Sequence, residues 1–108
     1  MKPKILIIED QETIGFVLKE FLNEHGFVAE VALNGEEALT KFRATAYHLL
    51  LTDFKLPDMD GNKVVAACKI ISPELKVLFI TGYKKQLCEL ESKIASDFQV
   101  IAKPCRPQ

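Results

Sequence analysis

The chain has 108 residues, 48% hydrophobic and 27% charged, with a formal net charge of −1. That suits one domain with a real hydrophobic core, leaves no room for two, and supplies no overall field to draw it to nucleic acid or an anionic membrane. Cys68, Cys88 and Cys105 are odd in number and lack metal-ligand spacing, which reads as a reduced, cytoplasmic protein. The first apolar run, Ile5 to Ile8, is too short for a signal peptide or a membrane span.

Ile5 to Ile8 reads as a strand that ends in two acids, Glu9 and Asp10. In the helix that follows, Ile14, Val17, Leu18, Phe21 and Leu22 fall on one face, and Gly26 after His25 takes the place of a left-handed cap. Phe27 to Ala32 is a second strand, partly polar through Glu30, as suits an outer position. Asn34-Gly35 opens a second helix with Ala38, Leu39 and Phe42 inward and Glu36, Glu37, Lys41 and Arg43 outward.

Tyr47 to Thr52 is a third strand, and its apolar run goes straight into Asp53. Such a run is typical of a strand buried on both faces of a parallel sheet. Pro57, Asp58, Asp60 and Gly61 form a loop into a third helix, from about Asn62 to Ile71. Val64, Val65, Cys68 and Ile71 are its apolar positions, and Ser72-Pro73 breaks it. Lys76 to Ile80 is a fourth buried strand that ends at Thr81-Gly82. A fourth helix follows from Lys84 to Ala95, and Gln99 to Ala102 is a fifth strand closed by Lys103-Pro104. Phe16, Phe21, Phe42 and Phe79 are assigned to the core.

Strand and helix alternate throughout, so the expected fold is α/β, a doubly wound parallel sheet of five strands in the order 2-1-3-4-5. Pro107 looks like the first-turn proline of a helix about to begin. The expectation is one domain over residues 1–108, cut before its fifth helix. A sheet face left bare in that way would favour self-association.

The polar residues at the carboxyl ends of the strands form one set: Glu9, Asp10, Asp53, Thr81 and Lys103. Strands one and three are neighbours at the switch point of such a sheet, so three carboxylates converge there. That crowding calls for a cation, and oxygen ligands in an open crevice favour Mg²⁺. Thr81 offers a hydroxyl and Lys103 a point charge to phosphoryl oxygens, and an aspartate can accept a phosphoryl group. Taken singly, each has a plainer reading. Asp10 could cap a helix, Asp53 could form a turn, Thr81 could merely end a strand and Lys103 could be a solvated surface charge. Asp58 and Asp60 read as loop residues without metal contact, and His25 and His48 lie outside the crevice.

Five pieces occur in order: Glu9-Asp10, NGEEAL at 34–39, DFKLPDMDG at 53–61, Thr81-Gly82 and Lys103-Pro104. With them the chain resembles the receiver domain of bacterial two-component response regulators over about residues 3–107. The resemblance implies a flavodoxin-like sheet and a phosphorylation-dependent switch. Asp53 would be the phosphoacceptor, Mg²⁺ would bind to Asp10, Asp53 and the backbone carbonyl of Lys55, and Glu9 would reach the metal directly or through water. Thr81 and Lys103 would contact the phosphoryl oxygens, and the Lys103-Pro104 bond would be cis. A sensor histidine kinase or phosphotransfer protein would be the donor, and an output domain or effector protein the recipient of the signal. Direct contact with nucleic acid or membrane is not implied.

Three features depart from that family. Val100 stands where receivers commonly carry Tyr or Phe three residues before the strand-five lysine, and Ala95-Ser96-Asp97 replaces the usual Gly-Ala pair. Lys55 and Tyr83, both large, occupy positions that tune the lifetime of the aspartyl phosphate, and they are expected to lengthen it. The fifth helix is absent, which suggests a piece of a longer protein. Two rival readings follow: a phosphate-independent scaffold of the same fold, and a phosphatase of the haloacid dehalogenase type. The second needs another Asp two residues after the first, where this chain has Lys55.

Overall fold

The computed structural model describes residues 2–52 and 56–79. Its centre is the strand β1 (Lys4–Ile8), in which Ile5 to Ile8 are all buried. A strand alternates its side chains between two faces. Four consecutive buried apolar residues therefore demand cover on both sides, which a parallel sheet with crossover helices supplies.

The remaining elements follow in the expected alternation: α1 (Glu12–Glu24), β2 (Val28–Ala32), α2 (Gly35–Ala44), β3 (Leu49–Thr52), α3 (Gly61–Ile71) and β4 (Lys76–Phe79). The sheet runs β2-β1-β3-β4, all parallel. That is the predicted order for the first four strands. The fourth helix, the fifth strand and the Lys103-Pro104 bond lie outside the described residues. So do Ile80, Asp53 and Lys55.

The chain steps from β1 to β2 in one direction, then from β2 past β1 to β3 and on to β4 in the other. Right-handed crossovers place the helices of opposite steps on opposite faces. Two buried clusters record this division. Ile5, Ile7, Leu49 and Leu51 point toward Leu18 and Leu22 of α1. Leu6, Ile8 and Leu50 point toward Ala38 and Phe42 of α2 and Val64 and Cys68 of α3.

Local signals set the helix ends. Gly26 has φ of +93°, a backbone state that costs other residues about 1–2 kcal/mol, and it turns the chain out of α1 into β2. The α2 helix starts at Asn34, whose side chain accepts the Glu37 N–H at 2.8 Å. Ser72 ends α3 ahead of Pro73, its N–H donating to the Cys68 carbonyl at 2.8 Å.

Some expectations need correction. Phe16 is 62% exposed and Val17 46%, so neither belongs to the core. The buried stripe of α1 is Gly15, Leu18 and Leu22, and at about 100° per residue Phe16 falls on the opposite side. Ile71, at 51% exposure, also faces solvent. The third strand begins at Leu49 rather than Tyr47, although Tyr47 is buried. In β4, Val77, Leu78 and Phe79 are half-buried rather than buried.

Candidate functional site

The site begins with a register. Ile8, the last residue of β1, pairs with Thr52, the last of β3, and with Ala32, the last of β2. Three strands thus end level, at the switch point where the chain has turned opposite ways to reach β2 and β3. Helices leave this crevice to either side, and ligands of open α/β sheets bind there.

Glu9 and Asp10 follow Ile8 directly. The Glu9 N–H still donates to the Ala32 carbonyl at 3.0 Å, so the backbone leaves the sheet only after Glu9. The Glu9 side chain is buried, with 5% exposure, and its Oε2 accepts the Gln11 N–H at 3.1 Å. Asp10 is exposed. The alternative role for Asp10, as a helix cap, falls away. The cap position of α1 is Gln11, whose carbonyl accepts the Gly15 N–H at 3.0 Å and whose side chain makes no capping bond.

Thr52 closes β3 fully buried. Asp53 and Lys55 come next in the chain and lie outside the described residues, as do Thr81 and Lys103. Among the described residues the structure therefore brings together Glu9 and Asp10, beside the end of β3.

The histidines are elsewhere, as expected. His25 ends α1. His48 lies at the opposite end of β3, its Nδ1 accepting the Lys4 N–H at 2.9 Å. A cleft lined by Phe42, Tyr47, Ile71 and Ser72 also opens at that far end and contains none of the site residues.

One residue of the site's surroundings was not foreseen. Asp58 is exposed, yet its Oδ1 accepts the Gly35 N–H at 2.9 Å and its Oδ2 the Glu36 N–H at 3.0 Å. These bonds, that from Gly35 first, hold its carboxyl below the usual carboxylate range. Nothing local announces the contact, because 23 residues separate Asp58 from Gly35. Beside it, Met59 packs on Gly35 so closely that a Cβ there would stand 2.6 Å from the Met59 Cγ.

Glu9 and Asp10 offer only oxygen, the donor type that Mg²⁺ takes.

Comparison with known proteins agrees with this geometry. The pattern of the response regulator receiver domain matches residues 5–108. Sporulation initiation phosphotransferase F of Bacillus subtilis is 35% identical over 104 residues, which cover 96% of this chain and 84% of that protein. The response regulator receiver protein CpdR of Brucella abortus is 32% identical over 101 residues, covering 94% of this chain and 84% of that one. Among solved structures, the response regulator TrrA of Thermotoga maritima, in complex with Mg²⁺–BeF, superposes with a TM-score of 0.80 at 30% identity. That match covers 89% of this chain and 98% of TrrA. Among the described residues no helix is long and apolar enough to cross a membrane. The match spans nearly the whole chain, in sequence and in fold, and the chain belongs to the response regulator receiver domains, the phosphoacceptor switches of two-component signalling.

Proposed function

We propose that Asp53 accepts the phosphoryl group, with Glu9, Asp10 and the Lys55 carbonyl as the Mg²⁺ site. The observation that carries this reading is the pairing of Ile8 with Thr52. Glu9-Asp10 and Asp53 each follow one member of that pair, so chain connectivity starts all three acids from neighbouring strand ends.

In the reaction, an Asp53 carboxylate oxygen attacks phosphorus. The bond from phosphorus to the donor nitrogen or oxygen breaks, and the leaving group departs with the electron pair. When bound, Mg²⁺ supplies neutralisation of the charge gathered between carboxylates and phosphoryl oxygens. Glu9 and Asp10 provide oxygens to hold that cation, and the buried setting of Glu9 gives one of them a fixed base. The Thr81 hydroxyl donates to a phosphoryl oxygen, and the Lys103 ammonium pairs with another.

The donor is a sensor histidine kinase or a phosphotransfer protein, and the recipient of the signal is an output domain or effector protein. The domain acts on no separate substrate. It catalyses its own phosphorylation and dephosphorylation and shifts an existing conformational equilibrium. Lys55 and Tyr83 hinder the attacking water, so Lys55→Ala combined with Tyr83→Ala speeds loss of the phosphoryl group.

Incubation with acetyl phosphate and Mg²⁺, read by intact mass, tests the assignment. A single phosphoryl adduct is expected in the wild type and none in Asp53→Asn. A folded wild-type protein without an adduct would favour the phosphate-independent scaffold, the reading to which Val100 points.

A further inference from the structure

The loop after β3 is tied to a helix that contributes no residue to the proposed site. Within it, the Leu56 N–H donates to the Met59 carbonyl at 3.1 Å, and the Lys63 N–H donates to the Asp60 carbonyl at 3.0 Å where α3 opens. Between these two turns, Asp58 and Met59 reach across to the start of α2.

The first-turn N–H groups of a helix have no partners within it, and something else must satisfy them. In α2 those of Gly35, Glu36 and Glu37 are satisfied by side chains, and Ala38 makes the first bond within the helix. Gly35 and Glu36 donate to Asp58, Glu37 donates to the Asn34 side chain, and Ala38 donates to the Asn34 carbonyl. Two of these three capping bonds therefore come from the loop after β3. The two contacts with the loop also belong together. Gly35 lacks a Cβ, which leaves room for Met59, and Met59 in that place sets Asp58 against the two N–H groups.

Position along the chain gives this tie its meaning. Thr52 is locked in β3 on one side of Asp53, and Leu56, the first residue of the anchored segment, comes only three residues after it. Three residues of chain span at most about 10 Å, so whatever fixes Leu56–Asp60 limits what the main chain at 53–55 can do. Ligand affinity depends on such preorganisation.

We propose that Asp58 is a positioning residue of the receiver site: its two hydrogen bonds to the start of α2 hold the acceptor's loop in place for Mg²⁺, and through them Mg²⁺ binding is felt at Gly35 and Glu36. This rests on the assignment of the Mg²⁺ site above. Linkage makes the effect reciprocal: if Mg²⁺ tightens the tie, loss of the tie weakens Mg²⁺ by the same factor.

The test uses Mg²⁺ alone, with calorimetric titration for affinity and amide hydrogen exchange by NMR for the response at Gly35 and Glu36. In the wild type, Mg²⁺ is expected to slow exchange at both amides by about threefold or more. Asp58→Ala abolishes that response and raises the Mg²⁺ Kd by the same factor, about threefold or more. Asp58→Asn keeps one acceptor oxygen and falls between the two, which decides the matter if the alanine variant does not fold. Asn34→Ala is the control: it removes the other cap of the same helix but leaves the loop alone, so Kd stays within about twofold of wild type. Wild-type Mg²⁺ affinity in the folded Asp58 variants would overturn the proposal, as would an equal loss in Asn34→Ala. So would a wild type that binds Mg²⁺ without any response at the two amides, which leaves the site assignment standing. A wild type that binds no Mg²⁺ would remove the site assignment, and the proposal with it.

Discussion

The starts of α1 and α2 have been built in opposite ways. At α2, Asn34 accepts one N–H, Asp58 accepts two, and the Glu37 carboxylate reaches back to the Leu33 N–H at 2.9 Å. At α1, the cap residue Gln11 makes no side-chain capping bond, although Asp10, a good capping type, stands next to it. The helix that contributes no residue to the proposed site is sealed by polar side chains. At α1 the one carboxylate contact among the described residues is that of Glu9, which accepts the Gln11 N–H at 3.1 Å, and Asp10 makes no capping bond.

Four expected outcomes bear on this difference. Asp10→Asn should lower Mg²⁺ affinity about thirtyfold, or 2 kcal/mol, while the melting temperature without Mg²⁺ holds or rises, because a like-charged neighbour of Glu9 is gone. Titration calorimetry and a thermal melt check the pair of effects, and a drop in metal-free stability would mean that Asp10 supports the fold. Gly35→Ala should destabilise by about 1.5 kcal/mol in urea denaturation, since Met59 must give way to the new Cβ. Asn34→Ala should cost about 1 kcal/mol, and Gln11→Ala less than about 0.5 kcal/mol. Equal losses at the two caps would erase the contrast between the helices.

The smallest effect is a pH dependence. The folded protein holds the Asp58 carboxyl below its ordinary value of 3.8, chiefly through the Gly35 N–H. A lowered folded value favours the ionised form. The contribution is therefore complete above pH 3.8 and is lost as pH falls below it. Acid titrations of wild type and Asp58→Ala should run apart at neutral pH and converge at the acid end.

Much of this was legible in the chain. Unbroken apolar runs at Ile5 to Ile8 and Leu49 to Leu51 announce strands covered on both faces, and the alternation of elements then leaves few topologies. Acids follow the first and third runs, at strand ends of the kind where such sheets bind ligands, and this is what the proposed site rests on. Phe16 misled for a physical reason. The inward stripe of α1 passes through Gly15, which has no side chain to advertise it, so apolar neighbours were taken for the face. Asp58 was invisible for another. Its partners belong to a different element, and only the folded sheet brings them within reach.

The central pairing also fixes when the site can exist. Lys4 and His48, which meet at the start of the β1–β3 ladder, are 44 residues apart in sequence. On the ribosome α1, β2 and α2 all emerge before β3, and the local helices can form early, while a parallel ladder over that separation closes late. Until it closes, the ends of β1 and β3 are not neighbours. An unfinished chain has no crevice for a phosphodonor to find, and readiness to be phosphorylated becomes a report that folding is complete.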